Sequence, residues 1–449
     1  MISDLGKRGS MVIQALKGFK DILPGESEKW VFMEETARRV FQTFGFSEIR
    51  TPILEKTELF VRSIGSYTDI VEKEMYTITD RSGDSITLRP EATASVLRAF
   101  IEHNLQGQQQ VHKLFSIGPM FRHERPQKGR FRQFHQINAE YIGTASPYAD
   151  AEIIYLLIKI LDRIGLQETR LKINSLGCPL CRPSFSAALK DFLEGQKEVL
   201  CPDCRRRMES NPLRVFDCKV ERCQEVLSGA PTVTDFNCPD CQKHFSQVLE
   251  LIERLSVQVH LDPRLVRGLD YYCRTTFEVS ASNLGAQDAV AGGGRYDGLI
   301  RQMGGPDLPA IGFAIGLERA ALLLTSQEEW INRPFVFLIS LGAAARDKAF
   351  GLLRTLYKKE IPALMEYEDK SLKSQLKRAD KAKSPYAAIL GTEELNKDRI
   401  LIRNLNTQSQ EEIPIPQFMD YFLEKYAEAQ GEWRKAPGVG LKPELMLDT

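Results

Sequence analysis

Residues 121–140, FRHERPQKGRFRQFHQINAE, constrain this chain more than any other stretch. Arg122, Arg125, Lys128, Arg130 and Arg132 place five cations within eleven positions, around Pro126 and Gly129. Proline and glycine in a short polar centre, between apolar flanks at 111–121 and 131–142, predict a long hairpin with a basic tip. Side chains alternate faces along a strand, so Arg132, Phe134, Gln136, Asn138 and Glu140 share one face of the return strand, and His135, Ile137 and Tyr141 take the other. One such face can hold phosphate through guanidinium groups and a cationic group through a carboxylate. A solvated edge hairpin accounts for an ordinary basic run. Here Phe115, Ile117, Phe121, Phe131 and Phe134 put the hairpin against a core, and a functional site is the better reading.

The 449 residues suggest about three domains. With 43% hydrophobic and 27% charged residues the chain reads as globular. Sixty basic residues balance sixty acidic ones, so any polyanion must be met by local patches rather than by bulk charge. The opening MISDLGKRGSMVIQALKG has neither an apolar core nor a small-residue cleavage site, and reads as no signal peptide. The most apolar run, 153–166, is broken by Lys159, Asp162 and Arg163 and is too short and charged to span a bilayer. Nine cysteines without an export signal point to a reducing, cytoplasmic setting, where paired cysteines hold metal more often than they form disulfides.

In chain order, residues 1–16 form an uncommitted extension. Trp30, Met33, Ala37, Val40, Phe41 and Phe44 recur at helical spacing, and Gly45 stands where that helix should end. Residues 46–55 read as one strand, and Pro52 inside it demands an edge or interface position. After a strand at 86–89, Pro90 and Glu91 open a helix, which explains Glu91 through the helix dipole alone. A helix at 150–164 and a strand at 170–174 precede a change of composition. Residues 177–258 carry eight of the nine cysteines and few strand formers, and read as a mostly helical insertion. Residues 266–280 become strand-like after Gly268, residues 289–305 bring three glycines up to Arg295 and Tyr296, and residues 311–324 run from strand into an apolar helix carrying Glu318 and Arg319. From 332 to 428, strands at 335–340, 363–367, 387–390 and 399–403 alternate with helices at 346–359, 371–383 and 416–427, the pattern of a small α/β domain. Residues 429–449 read as a disordered tail. No internal repeat is evident.

Charges that interrupt apolar elements mark candidate chemistry. Arg319 lies in GFAIGLERAALLL, where an arginine costs several kcal/mol unless paired or used. Its neighbour Glu318 cannot face it on a helix, so its partner is a bound anion or a carboxylate from elsewhere. Arg267, ahead of Tyr271 and Tyr272, poses the same question. Strand alternation would put Tyr272 with Arg274 and Tyr271 with Cys273. Gly292, Gly293 and Gly294 allow close approach of a ligand or of backbone, yet no Walker or Rossmann glycine pattern is present.

FRHERPQKGRFRQFHQINAE, VRGLDYYCRTTFE, AVAGGGRYDGL and IGFAIGLERAALLL resemble the signature segments of the histidyl-tRNA synthetase family, and LKGFKDILP and FGFSEIRTPILE fit its N-terminal pattern. The resemblance spans about residues 12–425. It implies a class II aminoacyl-tRNA synthetase: an α+β catalytic domain of antiparallel sheet flanked by helices, split into 17–176 and 259–331 around the insertion, with an anticodon-binding α/β domain at 332–428. It further implies a homodimer that activates L-histidine with ATP and Mg²⁺ and transfers the histidyl group to tRNA. Carried over residue by residue, Arg122 would hold the α-phosphate, Glu124 the adenine, Arg130 the terminal phosphates, and Arg319 the adenine and γ-phosphate. Glu91, Thr93 and Gln136 would bind the α-amino group, Glu140 and Tyr272 the imidazole, and Tyr271 would line the same pocket. Arg267 would stand by the α-phosphate and the attacked carboxylate, a catalytic position it shares with Arg122. Arg132 is left without a role. Lys373, Lys377, Arg378 and Lys381 fit tRNA contacts, though a solvated helix face accounts for them equally well.

Cys178/Cys181, Cys201/Cys204, Cys218/Cys223 and Cys238/Cys241 form four pairs, enough for two four-coordinate zinc sites. The favoured set is Cys201, Cys204, Cys218 and Cys223; the resemblance itself calls for no metal here, and redox-silent thiols are the plain alternative. Cys273 reads as packing. The competing function is a regulatory relative that binds histidine without charging tRNA; retention of Arg122, Arg267, Arg319 and the C-terminal α/β sequence favours the enzyme. A zinc-bearing RNA-binding protein would leave RGLDYY and GGGRYDGL unexplained.

Overall fold

A computed structural model describes residues 13–65, 68–166, 168–281, 288–324 and 333–435. Most of the extension 1–16 and residues 436–449 of the tail therefore lie outside the described residues. Two compact units divide between Ser326 and Gln327, close to the change of pattern at 332.

The first unit is built on an eight-stranded sheet. From one edge its strands are Ser47–Glu48, His112–Phe121, Gln133–Ile142, Ala310–Gly316, Ala289–Arg295, Cys273–Ser280, Arg170–Ser175 and His260–Leu261. The six inner strands pair antiparallel, and the two-residue edge strands join in parallel. Sequence from before and after the insertion thus completes one sheet. The insertion departs from the end of Arg170–Ser175 and returns in the adjacent strand His260–Leu261.

Helix Ser27–Thr43 buries Trp30, Met33, Ala37 and Phe41, the stripe its spacing predicts. Phe41 stacks on Phe115 at 4.3 Å between ring centroids and on Phe313 at 6.3 Å, which pins the helix to two sheet-borne rings. Each such buried side chain contributes about 1.5–3 kcal/mol. The helix stops because Phe44 leaves helical geometry and Gly45 takes a φ of 75°, a conformation glycine adopts without strain. Helix Pro147–Ile164, beginning three residues earlier than its pattern suggested, is capped by the Ser146 hydroxyl, which accepts from the Tyr148 N–H at 3.3 Å.

Residues 46–55 do not form one strand. Ser47–Glu48 joins the large sheet and Leu54–Lys56 joins a separate three-stranded sheet with Ser85–Leu88 and Tyr76–Thr79. The break falls at Thr51 and Pro52, whose carbonyls turn to the Arg89 guanidinium at 3.0 and 3.5 Å. Both pieces lie on sheet edges, as a proline that cannot donate requires.

The insertion is helical, with helices Arg182–Glu194, Pro202–Ser210, Glu221–Leu227 and Pro239–Arg254. Phe185, Leu189, Met208, Val215, Cys204 and Cys223 make its own core. Its last helix instead sends Val248 and Ile252 into the main core.

The second unit carries strands in the order Ala363–Met365, Val336–Ser340, Tyr386–Leu390, Arg399–Asn404 and Gln410–Pro414. The last strand has no counterpart in the sequence reading, because QEEIP exposes its first three residues and lacks an apolar run. Helix Phe418–Lys435 runs past the predicted 427, so residues 429–435 are helical rather than tail.

Candidate active site

The basic hairpin forms as predicted, with Phe121 opposite Gln133 and Leu114 opposite Glu140. Beyond the ladder, the Arg122 N–H donates to the Arg132 carbonyl at 2.9 Å, and Gln127 and Arg130 exchange backbone bonds of 3.0 and 2.9 Å. The tip is therefore the two-residue turn Lys128-Gly129, and the φ of 71° at Gly129 is what such a turn asks of glycine.

A cavity lies against one face of this hairpin. Phe134, Gln136 and Asn138 contribute its wall from the return strand, while His135 and Ile137 do not line it. Every residue named from the sequence for ATP or histidine except Glu140 lines the cavity: Glu91, Thr93, Arg122, Glu124, Arg130, Gln136, Arg267, Tyr271, Tyr272 and Arg319. The strand after Gly268 starts only at Cys273, so Tyr271 and Tyr272 precede it and are not split by alternation. Their rings lie 4.7 Å apart and both face the cavity.

One end of the cavity is cationic. The Arg122 Nε donates to the Pro90 carbonyl at 2.9 Å, and its guanidinium sits 5.2 Å from the Phe134 ring centroid. Arg130 is paired with Glu124 and Arg267 with Glu278. Arg319 donates to the Ala289 carbonyl at 2.5 Å. Gly292 makes room for Arg267, since a Cβ there would lie 2.4 Å from its guanidinium nitrogen. Burial pulls the pKa values of Arg122, Arg130 and Arg319 down, and the neighbouring guanidiniums add to that effect. All remain charged, so positive charge is concentrated where water is scarce.

The other end, which adjoins Arg122 and Arg267, is acidic and phenolic. Glu91 precedes helix Thr93–Glu102, two residues later than the helix start read from the sequence, and accepts the N–H groups of Thr93 and Ala94 at 2.8 and 2.7 Å. Its carboxyl thus serves the helix end and the cavity wall together. Glu140 is 1% exposed and lies behind the wall, accepting from the Thr93 hydroxyl at 2.7 Å and from the Tyr296 hydroxyl. Gly312 leaves space for it, since a Cβ there would meet a Glu140 oxygen at 2.2 Å. Burial raises the Glu140 pKa to about 8 despite these donors, and raises that of Glu91 as well. Gln136 Oε1, Asn138 Nδ2 and Arg267 Nε are buried without a hydrogen-bond partner among the described residues. Orphaned polar atoms on a cavity wall are suited to a polar ligand.

Arg132 shares the strand face but serves the fold. Its Nε donates to the Glu124 carbonyl at 3.2 Å and its Nη1 to the Lys17 carbonyl at 3.3 Å, while its backbone N–H reaches the Gly18 carbonyl at 2.7 Å. Sequence reasoning passed over Tyr296, which bonds Glu140 from 156 positions away, and Glu318, which accepts the His135 backbone N–H at 2.9 Å and meets its Nδ1 at 3.1 Å. It also gave no role to Arg295, which is fully buried against Asp150 at 2.7 Å. The signal available for Tyr296 was its place immediately after a triple glycine.

The family model described as histidyl-tRNA synthetase matches residues 18–179 and 212–320, which hold the whole cavity. The chain belongs to the histidyl-tRNA synthetase family. An anticodon-binding-domain model matches residues 335–425. A histidine–tRNA ligase of Desulfosudis oleivorans is 54% identical over 406 residues, covering 90% of this chain and 96% of that one. One from Desulfatibacillum aliphaticivorans is 52% identical over 410 residues, covering 91% and 98%. The apo histidyl-tRNA synthetase of S. aureus superposes with a TM-score of 0.78 at 34% identity, covering 91% and 99%. The fold is that of a class II synthetase with a C-terminal anticodon-binding domain. A Bacillus halodurans structure titled as an ATP phosphoribosyltransferase regulatory subunit/histidyl-tRNA synthetase superposes with a TM-score of 0.61 at 19% identity, a likeness of fold alone. No helix among the described residues is long and apolar enough to cross a membrane.

Proposed function

We infer that this chain is a histidine–tRNA ligase: it activates L-histidine with ATP to histidyl-adenylate and transfers the histidyl group to tRNA for protein synthesis. The observation that carries this reading is the single cavity with guanidiniums at one end and buried carboxyls and phenols at the other, inside the matched family segments. A phosphate chain and a small zwitterion with a polar ring need those two ends side by side.

In activation, a histidine carboxylate oxygen attacks the α-phosphorus, the bond to the β-phosphate oxygen breaks, and pyrophosphate leaves. The carboxylate is already a nucleophile, so no general base is required. Arg122 and Arg267 stabilise charge on the α-phosphoryl oxygens, a contribution of about 3–4 kcal/mol for a single well-placed donor. Arg130 serves the terminal phosphates, Glu124 the adenine, and Arg319 the adenine and γ-phosphate. ATP enters as its Mg²⁺ complex, an ion that keeps several waters and is held largely through substrate phosphates. Glu91, Thr93 and Gln136 take the α-amino group. Glu140 and Tyr272, with Tyr271 alongside, take the imidazole. Glu140 has two donors in the chain, and a carboxylate keeps lone pairs for a ring N–H as a third. A site built to hydrogen-bond both groups rejects amino acids that lack them.

The proposal extends to a cytoplasmic homodimer, to the segmentation 17–176, 177–258, 259–331 and 332–428, and to structural zinc on Cys201, Cys204, Cys218 and Cys223. Charging of bulk tRNA with each amino acid in turn tests the function. Histidine alone should be accepted; charging with another amino acid, or with none, overturns it. Sedimentation of the purified chain at twice its monomer mass is the expected result for the dimer.

A further inference from the structure

The eight cysteines of the insertion are sorted into two sets of four, one nested inside the other. Cys201, Cys204, Cys218 and Cys223 form the inner set, and Cys178, Cys181, Cys238 and Cys241 the outer one. Within each set the sulfurs lie within 4.8 Å of one another. In the outer set, Cys178–Cys181, Cys181–Cys241 and Cys178–Cys238 are separated by 3.6, 3.8 and 4.0 Å. A tetrahedron of thiolates around zinc at about 2.3 Å has sulfur–sulfur edges of about 3.8 Å, whereas a disulfide needs about 2.05 Å. Cys201 and Cys238 are each followed by proline, aspartate and cysteine. They begin their helices with the same backbone angles, φ −67° and ψ 162°. Each set also receives a backbone N–H on sulfur: Cys238 donates to Cys181 Sγ at 3.1 Å and Cys201 to Cys223 Sγ at 3.3 Å. Such donors stabilise a thiolate and orient it for a metal.

The outer set stands at a structural junction. Cys178 and Cys181 follow the strand Arg170–Ser175, and Cys238 and Cys241 open helix Pro239–Arg254. That helix is fastened to the catalytic core by Val248, Ile252 and the His244–Asp150 contact at 2.9 Å. On the strand side, the Arg274 N–H donates to the Gly177 carbonyl at 2.8 Å, and the Leu176 N–H donates to the Arg274 carbonyl at 2.7 Å. Arg274 has a left-handed φ of 47°, a conformation that a non-glycine residue keeps only where its surroundings impose it. Arg182, directly after Cys181, donates to the Tyr272 carbonyl. The Tyr272 backbone is therefore held by the turn that carries two of the four thiols, and the Tyr271 ring lies against the Tyr272 ring at 4.7 Å.

We propose that Cys178, Cys181, Cys238 and Cys241 bind a second divalent metal of the zinc type, and that this metal positions Tyr271 and Tyr272 for histidine. The metal half of the inference stands on sulfur geometry; the positioning half rests on the functional reading above. None of the four cysteines lines the cavity.

The test is metal analysis of the full-length protein purified without chelators, followed by kinetics. The wild type should hold two zinc ions per chain. A Cys178→Ser/Cys238→Ser protein and a Cys201→Ser/Cys218→Ser protein should each retain one. The first should raise the KM for histidine in ATP–pyrophosphate exchange at least fivefold while the KM for ATP stays within twofold; the second should change neither KM by more than twofold. Cobalt substituted into the wild type should give thiolate-to-cobalt charge-transfer absorption that falls by half in either variant. Where a variant fails to fold, a wild-type count of two still establishes the outer site and a count of zero still removes it, and the single substitution Cys178→Ser replaces the double one to decide a count of one. No ion in the wild-type chain, or an ion count that Cys178→Ser/Cys238→Ser leaves unchanged, overturns the outer site. An unchanged histidine KM in a folded one-zinc protein overturns the positioning role. The metal count needs no substrate, so a two-zinc protein that charges no tRNA refutes the ligase reading and leaves the metal site standing.

Discussion

The two groups of charged residues around the cavity are both drawn out of water, the carboxyls further than the guanidiniums, and they respond in opposite ways. At the cationic end, Arg122, Arg130 and Arg319 keep their charge although burial lowers their pKa values. At the other end, burial lifts the Glu140 pKa to about 8, so its carboxyl is largely protonated at neutral pH. An arginine starts so far above neutrality that desolvation cannot discharge it, whereas a carboxyl starts only a few units below. Desolvation alone therefore produces a permanently charged phosphate end and a titratable amino-acid end. The first suits a polyanion present at every pH. The second can hold a neutral ring by hydrogen bonding and gain charge only when a cationic partner is present.

Substitutions should separate these ends. The largest effect is expected for Arg267→Ala: histidine-dependent ATP–pyrophosphate exchange should fall by about 10²–10³-fold, roughly 3–4 kcal/mol of transition-state stabilisation, with histidine binding spared. Near-normal exchange would remove the role given to Arg267. Glu140→Gln comes next. Loss of a neutral hydrogen bond costs about 1 kcal/mol and a buried group left unsatisfied about 1–3 kcal/mol, so the KM for histidine should rise by roughly 5- to 150-fold with the KM for ATP little changed; an equal rise in both would merge the two ends. Tyr296→Phe removes one donor from Glu140 and should weaken histidine by about fivefold, from about 1 kcal/mol for one hydrogen bond, measured by titration calorimetry.

A pH experiment sharpens the same contrast. Glu140 binds its proton more tightly in the folded chain than in the unfolded one, where its pKa is near 4.5. Between 4.5 and about 8 the folded state carries the extra proton, so this group makes the ligand-free protein less stable as pH rises through that window. Urea midpoints of the wild type should show that decline relative to Glu140→Gln, and parallel curves would contradict it. The smallest catalytic effect is expected for Arg132→Ala, which sits on the strand face but ties Lys17 and Gly18 to the hairpin. Its exchange activity should stay within about threefold while its melting temperature drops by a few degrees, the shift that about 1 kcal/mol produces.

The hairpin was legible because alternation and a Pro–Gly centre are local signals, and the helix at Ser27–Thr43 because its apolar period is strong. The cavity's cations were visible as charges in apolar surroundings, but their gathering into one place came from family resemblance and is long-range in the fold. Tyr296 and Arg295 were missed for that reason: their partners Glu140 and Asp150 are about 150 positions distant and no local pattern links them. Cysteine spacing gave the four pairs and the inner set Cys201, Cys204, Cys218 and Cys223, which the fold does gather; that the remaining pairs close into a second set depends on the path of the insertion between the strand Arg170–Ser175 and the edge strand His260–Leu261. Thr51 and Pro52 show the converse, where a local rule named the edge correctly while the strand itself was broken by the demands of Arg89.

The central claim is that one cavity divides its duties between a phosphate end and an amino-acid end. Calorimetric titration of ATP and of histidine, each alone, into the Arg319→Ala and Glu140→Gln proteins tests it most directly. The account predicts a crossed result: Arg319→Ala loses ATP affinity and keeps histidine affinity, and Glu140→Gln does the reverse. Loss of both ligands by both proteins, or of neither, would contradict it.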